Sequence, residues 1–364
     1  MFSTLAAYRP ARTVKAFLGA ACLLIILFGV FLFGPDSWPS PGHWSPSASS
    51  SAPAAAPAPV PESHNAPDTP QRYAFATILT GEEDHEKPVL EKPYFIAARL
   101  LTYQLLHSPD TRSATEIPFL VLVTDDVPEE QRTVLAQDGA TVIPVDSISR
   151  DWVLPKWDRW KGVLAKLNVW KMTTYDKIAF LDADSILFRP VDAIFTDSTT
   201  TIRKTKPDKT QTVPTLSVLP STYMIAGIHD SWVEANLPPV DEPGKNFYVK
   251  DNYMNAGFFV FAPSDQIFEY YSSLLNSPGA FDPNYPEQNL LNCAHRVDGR
   301  MPWVDIGTQW SRKGTGRAEY EKGLKSVHQK WWVAMGDEVL DGHVTKVMGE
   351  MKAFFNITET AGGS

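Results

Sequence analysis

The chain has 364 residues, 43% of them hydrophobic and 12% aromatic, enough apolar material for one large domain or two small ones. Its net charge is −9, its pI is near 5.4, and its lysines and arginines gather into no patch or stripe, which argues against a nucleic-acid partner. The two cysteines, Cys22 in an apolar N-terminal run and Cys293 far downstream, exclude a C-x-x-C zinc site and a disulfide within the soluble part.

Residues 1–15 carry Arg9, Arg12 and Lys15 and read as a short tail. Residues 16–34, "AFLGAACLLIILFGVFLFG", hold 19 positions without a charge, long enough to cross ~30 Å of hydrocarbon as a helix. A cleaved signal peptide would carry a shorter apolar run of ~7–15 residues, so a retained anchor is the reading preferred. The basic residues before it keep the N-terminus cytoplasmic and send the rest of the chain across the membrane. Residues 35–71 are rich in Pro, Ser and Ala and read as an extended stem, open to O-linked sugars.

The folded domain is expected over 72–355. "RYAFATILT" reads as a strand and Pro93 opens a helical pattern through "YFIAARLLTYQLLHS". "IPFLVLVTDD" reads as a buried parallel strand, and "PEEQRTVLAQDG" has Pro at a helix start and Gly past its end. "ATVIPVDSI" follows as a strand, then "RWKGVLAKLNVWKM" with apolar residues at helical spacing, then the strand "KIAFLDAD". Strands alternating with helices predict a Rossmann-like α/β sheet with parallel strands. Beyond a polar insertion at Thr199 to Gln211, "YMNAGFFVFAPS" reads as a strand, and "SDQIFEYYSSLL" and "PEQNLLNCAHR" as helices. A last helix, "DEVLDGHVTKVMGEMKAFF", leads to a tail at 356–364 that holds the glycosylation sequon Asn356-Ile357-Thr358.

Asp182 and Asp184 stand where an apolar strand leaves the core. Carboxylates this close repel unless a cation or a proton lies between them. Oxygen ligands at a strand's carboxyl end suit Mg²⁺ or Mn²⁺ with positions open for phosphate oxygens. Two surface aspartates in a turn are the plain alternative. Strands ending in Asp-x-Asp also open the haloacid-dehalogenase phosphatases, where the first aspartate is a nucleophile. There the pair usually lies near the start of the domain, whereas some 110 residues of this domain precede Asp182.

The stretch "LPKWDRWKGVLAKLNVWKMTTYDKIAFLDADSILFRPVDAIF" resembles the core of glycosyltransferase family 8, the glycogenin-like enzymes. "RYAFATILT", "NYMNAGFFVFAPS" and "FDPNYPEQNLLN" resemble further motifs of that family, in order, from about Arg72 to Trp332. The resemblance implies a GT-A type fold, a single catalytic domain with a mixed, mainly parallel sheet. It also implies transfer of a hexose from a UDP-sugar with retention of configuration. Asp182 and Asp184 would hold Mn²⁺ or Mg²⁺ and the diphosphate, and Ala183 would offer its backbone to the nucleotide. Ile78, Thr80 and Gly81 would lie along the uridine. Lys166 would approach the donor sugar and phosphate, unless it is an ordinary solvated helix lysine. Asn255, Ala256 and Gly257 would line the sugar, and Gln288 would lie near its reacting face.

The family usually has an aspartate before that glutamine, and here Glu287 takes the place, with Asp282 a second candidate upstream. In "SVHQKWWV", His328 would be the last metal ligand and Lys330 would neutralise the diphosphate. The spacing there is shorter than the family's, and a partly buried histidine is the alternative. His295 and His343 are weaker candidates. Trp303, Trp310, Trp331 and Trp332 are candidates for an aromatic acceptor rim, with core packing the alternative. Anchor, stem and family together imply a single-pass type II protein of the Golgi membrane, its domain luminal, acting on glycans or glycoproteins. A glycan-binding relative without turnover is a further alternative. The sequence does not choose between UDP-glucose, UDP-galactose and UDP-N-acetylglucosamine.

Overall fold

The computed structural model describes residues 71–82, 87–207, 218–230, 252–313, 317–333 and 335–357. The expected anchor at 16–34 and the stem up to residue 70 lie outside them, as does the chain from Thr358 onward. No described helix is long and apolar enough to cross a membrane.

Strands β1 (Tyr73–Leu79), β2 (Phe119–Val123) and β3 (Thr141–Pro144) alternate with helices α1 (Pro93–Leu106) and α2 (Glu129–Gln137). A 3-10 turn at Asp158–Trp160 and a 3-10 helix at Val163–Lys171 lead to β4 (Lys177–Leu181), and β5 (Ser185–Leu187) follows after a tight turn. Then come β6 (Arg203–Lys204), β7 (Thr222–Tyr223), β8 (Ile225–His229) and β9 (Met254–Phe261). Helices α3 (Asp265–Leu275) and α4 (Pro286–Ala294) precede β10 (Val304–Asp305) and β11 (Arg312–Lys313). Helix α5 (Arg317–Glu321), β12 (Ser326–His328) and α6 (Glu338–Phe354) complete the described fold.

Seven strands form the main sheet in the order β10-β8-β9-β4-β1-β2-β3. Every neighbouring pair is parallel except the two that involve β9, which runs against β4 and β8. The sheet is thus mixed and mainly parallel with helices packed on it, as expected. Alternation along the strands divides the core in two. Phe75, Phe119, Val121 and Val123 pack on one face with α1 and α6, through residues such as Leu101, Leu340 and Met351. Ala74, Ala76, Leu120 and Leu122 pack on the other, against Trp170, α3 and α4. Both faces are covered, so β2 and β9 are buried along their whole length.

Three expectations change here. The segment from Val163 is wound as a 3-10 helix rather than an α-helix, with every side chain from Leu164 to Trp170 buried. With no solvent face, tertiary packing rather than an amphipathic repeat sets its pitch. Trp303, Trp310 and Trp331 are core residues, so they form no acceptor rim, and Trp332 lies half-buried against Tyr94. Within the polar stretch Thr199 to Gln211, Arg203–Lys204 pairs with β7, and the part from residue 208 lies outside the described residues.

Candidate active site

Parallel strands β1, β2, β4 and β8 deliver their carboxyl ends to one edge of the sheet, and antiparallel β9 begins there. Thr80 and Gly81, Asp126, Asp182, Asp230 and Asn255 therefore meet at that edge, where open α/β sheets bind ligands. A cleft of about 1120 Å³ opens over it. Ile78, Thr80, Gly81, Lys166, Asp182, Ala183, Asp184, Asn255, Glu287, Gln288, His328 and Lys330 all line it, so the structure brings together most of the residues singled out in the sequence.

The aspartate pair sits in a turn fixed by its backbone: Asp182 N–H donates to the Gly257 carbonyl at 2.9 Å, and Ser185 N–H donates to the Asp182 carbonyl at 3.0 Å. Strand β5 starts directly after Asp184 and pairs antiparallel with β12, which sets His328 opposite Ser185. His328 Nε2 then lies 3.1 Å from Asp184 Oδ1 and 3.3 Å from Asp182 Oδ2. A cation with bonds of ~2.1 Å at right angles needs ligand atoms ~3.0 Å apart, so the spacing fits one. Two carboxylate oxygens and an imidazole nitrogen form a donor set that could hold a divalent cation. Burial works against the charge on Asp184, but His328 and then Lys330 outweigh it and hold the carboxyl below its ordinary range.

Glycine at 257 is required by the histidine. A Cβ there would lie 2.1 Å from His328 Nδ1 and 2.2 Å from Cε1. Gly257 therefore makes room for the imidazole. Ala256 is buried in the same way, its N–H donating to Gln288 Oε1 at 2.9 Å and its carbonyl accepting from Lys166 Nζ at 3.1 Å. Neither residue is among those lining the cleft, whose wall here is formed by Asn255 beside them.

Lys166 is also recast. It is 2% exposed, and its ammonium donates to Asp182 Oδ1 at 2.8 Å and Glu287 Oε1 at 3.3 Å as well as to Ala256. Burial opposes its charge, but Asp182 and Glu287 more than compensate and raise it above the ordinary lysine range. These three acceptors match the three ammonium protons, so Lys166 ties the metal-site carboxylate to α4. Pro286 at the first turn of α4 presets the helix that carries Glu287 and Gln288.

Asp282 stays outside. It is exposed, and its carboxylate accepts from Asn284 N–H at 2.9 Å in the turn before α4. His295 is a buried core histidine between the Tyr271 hydroxyl and the Met301 carbonyl, with burial pushing it down to about 4. His343 faces the Leu187 carbonyl at 3.0 Å. Neither belongs to the group of Asp182, Asp184 and His328.

Several cleft residues escaped the sequence reading. Tyr94, Asp126, Arg159, Trp160 and Tyr285 all line it. Asp126 Oδ1 accepts from Gly81 N–H at 2.9 Å, and a Cβ on Gly81 would come within 2.7 Å of the same carboxylate. Trp160 and Tyr285 both line the cleft, with ring centroids 5.0 Å apart. Lys330 and Arg159 supply positive charge opposite the aspartates. Burial first, then Arg159, lowers the Lys330 ammonium from its ordinary range. Asp230 follows β8 as Asp182 follows β4, and "MIAGIHD" resembles "KIAFLD" in carrying an apolar run toward an aspartate at the strand's end, with His229 between them. That shared form was the available signal.

No family model matches the chain. Its curated relatives are informative. Galactinol synthase 1 of Solanum lycopersicum is 25% identical over 304 residues, covering 74% of this chain and 83% of that one. The chain is similar to galactinol synthases. Galactinol synthase 4 of Arabidopsis thaliana is 26% identical over 320 residues, 77% of this chain and 86% of that one. An uncharacterized protein of Schizosaccharomyces pombe is 26% identical over 310 residues, 75% of this chain and 77% of that one. Among solved structures, the galactosyltransferase LgtC with donor and acceptor sugar analogues gives a TM-score of 0.47 at 14% identity, over 76% of this chain and 95% of that one. The similarity to galactinol synthases and the mixed, mainly parallel sheet support a glycosyltransferase.

Proposed function

We propose that this chain is a metal-dependent, retaining glycosyltransferase that moves a hexose from a UDP-sugar to a glycan or glycoprotein acceptor. The observation that carries the reading is the Asp182–Asp184–His328 group at the carboxyl edge of the sheet, inside a cleft large enough for a nucleotide sugar. A bound Mn²⁺ or Mg²⁺ supplies positive charge against the departing diphosphate. Ile78, Thr80, Gly81, Asp126 and Tyr94 form the wall suited to the uridine. Lys330 and Arg159 face the phosphates and stabilise the leaving charge. Glu287 and Gln288 orient the sugar hydroxyls, with Lys166 and the Ala256 N–H holding them in place. The acceptor hydroxyl then attacks the anomeric carbon from the face that the diphosphate leaves, its oxygen replacing the phosphate oxygen and its proton passing to the departing UDP, with no enzymic nucleophile. Trp160 and Tyr285 offer apolar faces to the acceptor's ring.

The relatives named galactinol synthases put UDP-galactose first among the donors to test, with inositol beside glycan acceptors. The apolar stretch 16–34 and the stem support an anchored protein with its catalytic domain in the Golgi lumen. The test is UDP release from UDP-galactose, UDP-glucose and UDP-N-acetylglucosamine with Mn²⁺, with Asp184→Ala as control. Release that needs Mn²⁺ and is lost in Asp184→Ala is the expected result. If no donor is turned over and Asp184→Ala binds Mn²⁺-UDP as well as wild type, the catalytic reading fails and glycan binding without turnover takes its place.

A further inference from the structure

One buried acid near the site has no part in the scheme above. Asp230 is 5% exposed, directly after β8. Its Oδ2 accepts from Asn255 Nδ2 at 3.0 Å and from Gln288 Nε2 at 3.1 Å. Its own N–H donates to the Tyr253 carbonyl at 2.9 Å, which anchors the carboxylate to the entry of β9.

Hydrogen-bond polarity propagates from there. An ionised carboxylate only accepts, so Asn255 must turn its amide nitrogen toward Asp230. Its Oδ1 then faces the other way, where it accepts from Gly257 N–H at 2.8 Å. That N–H only donates, so it independently demands the same amide orientation. The same Oδ1 lies 3.1 Å from His328 Nδ1. An oxygen there requires Nδ1 to carry a proton, so Nε2 is the nitrogen that faces Asp182 and Asp184, donating to them when no cation is bound and free to give its lone pair to a cation that displaces its proton. On the other branch, Asp230 fixes the Gln288 nitrogen, so Gln288 Oε1 is committed to Ala256 N–H.

We infer that Asp230 is a positioning residue that sets the His328 tautomer through Asn255, and so prepares the imidazole to hold a divalent cation, while locking the Gln288 amide from the same oxygen. The inference rests on the metal-site reading of Asp182, Asp184 and His328. Such outer partners typically govern ~10–100-fold in metal affinity.

The test uses the full-length chain with Mn²⁺ alone and no sugar donor, reading bound Mn²⁺ by electron paramagnetic resonance. Asp230→Ala and Asn255→Ala should each weaken Mn²⁺ roughly 10–100-fold. The double variant should be no weaker than the poorer single one, because both interrupt one relay. Asp230→Asn keeps a carbonyl oxygen that can accept both amides and should stay within about threefold of wild type. A second measurement needs no variant. The ¹⁵N spectrum of histidine-labelled wild type saturated with diamagnetic Mg²⁺ should show His328 protonated at Nδ1 and unprotonated at Nε2. Wild-type Mn²⁺ affinity in folded Asp230→Ala, or an unprotonated Nδ1 in the Mg²⁺-loaded protein, overturns the relay alone. Failure of wild type to bind Mn²⁺ overturns the metal site itself.

Discussion

Gly257→Ala probes the closest packing in the site. The added Cβ would meet His328 Nδ1 at 2.1 Å and Cε1 at 2.2 Å, with Asn255 Oδ1 at 2.9 Å. Carbon contacts settle near ~3.5–4.0 Å, so the ring must retreat by more than ~1 Å. Its retreat breaks the 3.1 Å contact with Asn255 and withdraws Nε2 from both aspartates. Overpacking of this kind costs about 1–3 kcal/mol. Mn²⁺ affinity should fall at least as far as loss of a supporting partner takes it, ~10–100-fold. Mn²⁺ titration and thermal melting are measured for Gly257→Ala, His328→Ala and the double variant. Removing the imidazole opens the space, so Gly257→Ala should cost little stability in the His328→Ala background. The reasoning is refuted if Gly257→Ala binds Mn²⁺ like wild type, or if its stability cost is the same with and without the ring. A glycine that merely lined the donor sugar would give those results.

Three further outcomes are expected. Lys166→Met leaves Asp182 and Glu287 without their shared buried cation and should destabilise the fold by about 3–5 kcal/mol in urea unfolding, with turnover lost. His295 is held down to about 4 by burial against an ordinary 6.5, so below pH 6.5 the unfolded chain takes up a proton that the folded chain refuses. Stability should therefore drop by up to about 3 kcal/mol as pH falls from 6.5 to 4, and His295→Gln should flatten that dependence in unfolding curves. Asp282→Ala should leave UDP release within about twofold of wild type, because the side chain only closes an exposed turn, while Gln288→Ala should abolish most of it.

The aspartate pair was legible because an apolar strand and a carboxylate at its end carry the whole signal locally. The helix that presents Glu287 and Gln288 was legible for the same reason, with Pro286 marking its first turn. His328 came only from resemblance, since what brings it home is the pairing of β5 with β12, a contact between segments far apart in the chain. Gly257 was correctly read as a place of close approach, but the approaching group is this chain's own imidazole. Asp230 went unnoticed because one aspartate after an apolar run looks like any strand end until the Asn255 and Gln288 amides converge on it. Tryptophans could not be assigned from type alone, because a large amphipathic ring suits a core and a rim equally well. Asp282 is close to Gln288 in sequence, yet the turn through Asn284 faces it outward.

The pairing of β5 with β12 also sets an order of events during synthesis. Both aspartates emerge near the middle of the chain, together with most of the main sheet. Their imidazole partner arrives only with Ser326–His328, shortly before α6. A nascent chain that has not reached that strand holds two adjacent carboxylates and no third ligand, so it grips a cation poorly. Under the proposed metal site, a firm grip on a cation would therefore come only after a strand made about 140 residues later than the aspartates has paired with β5.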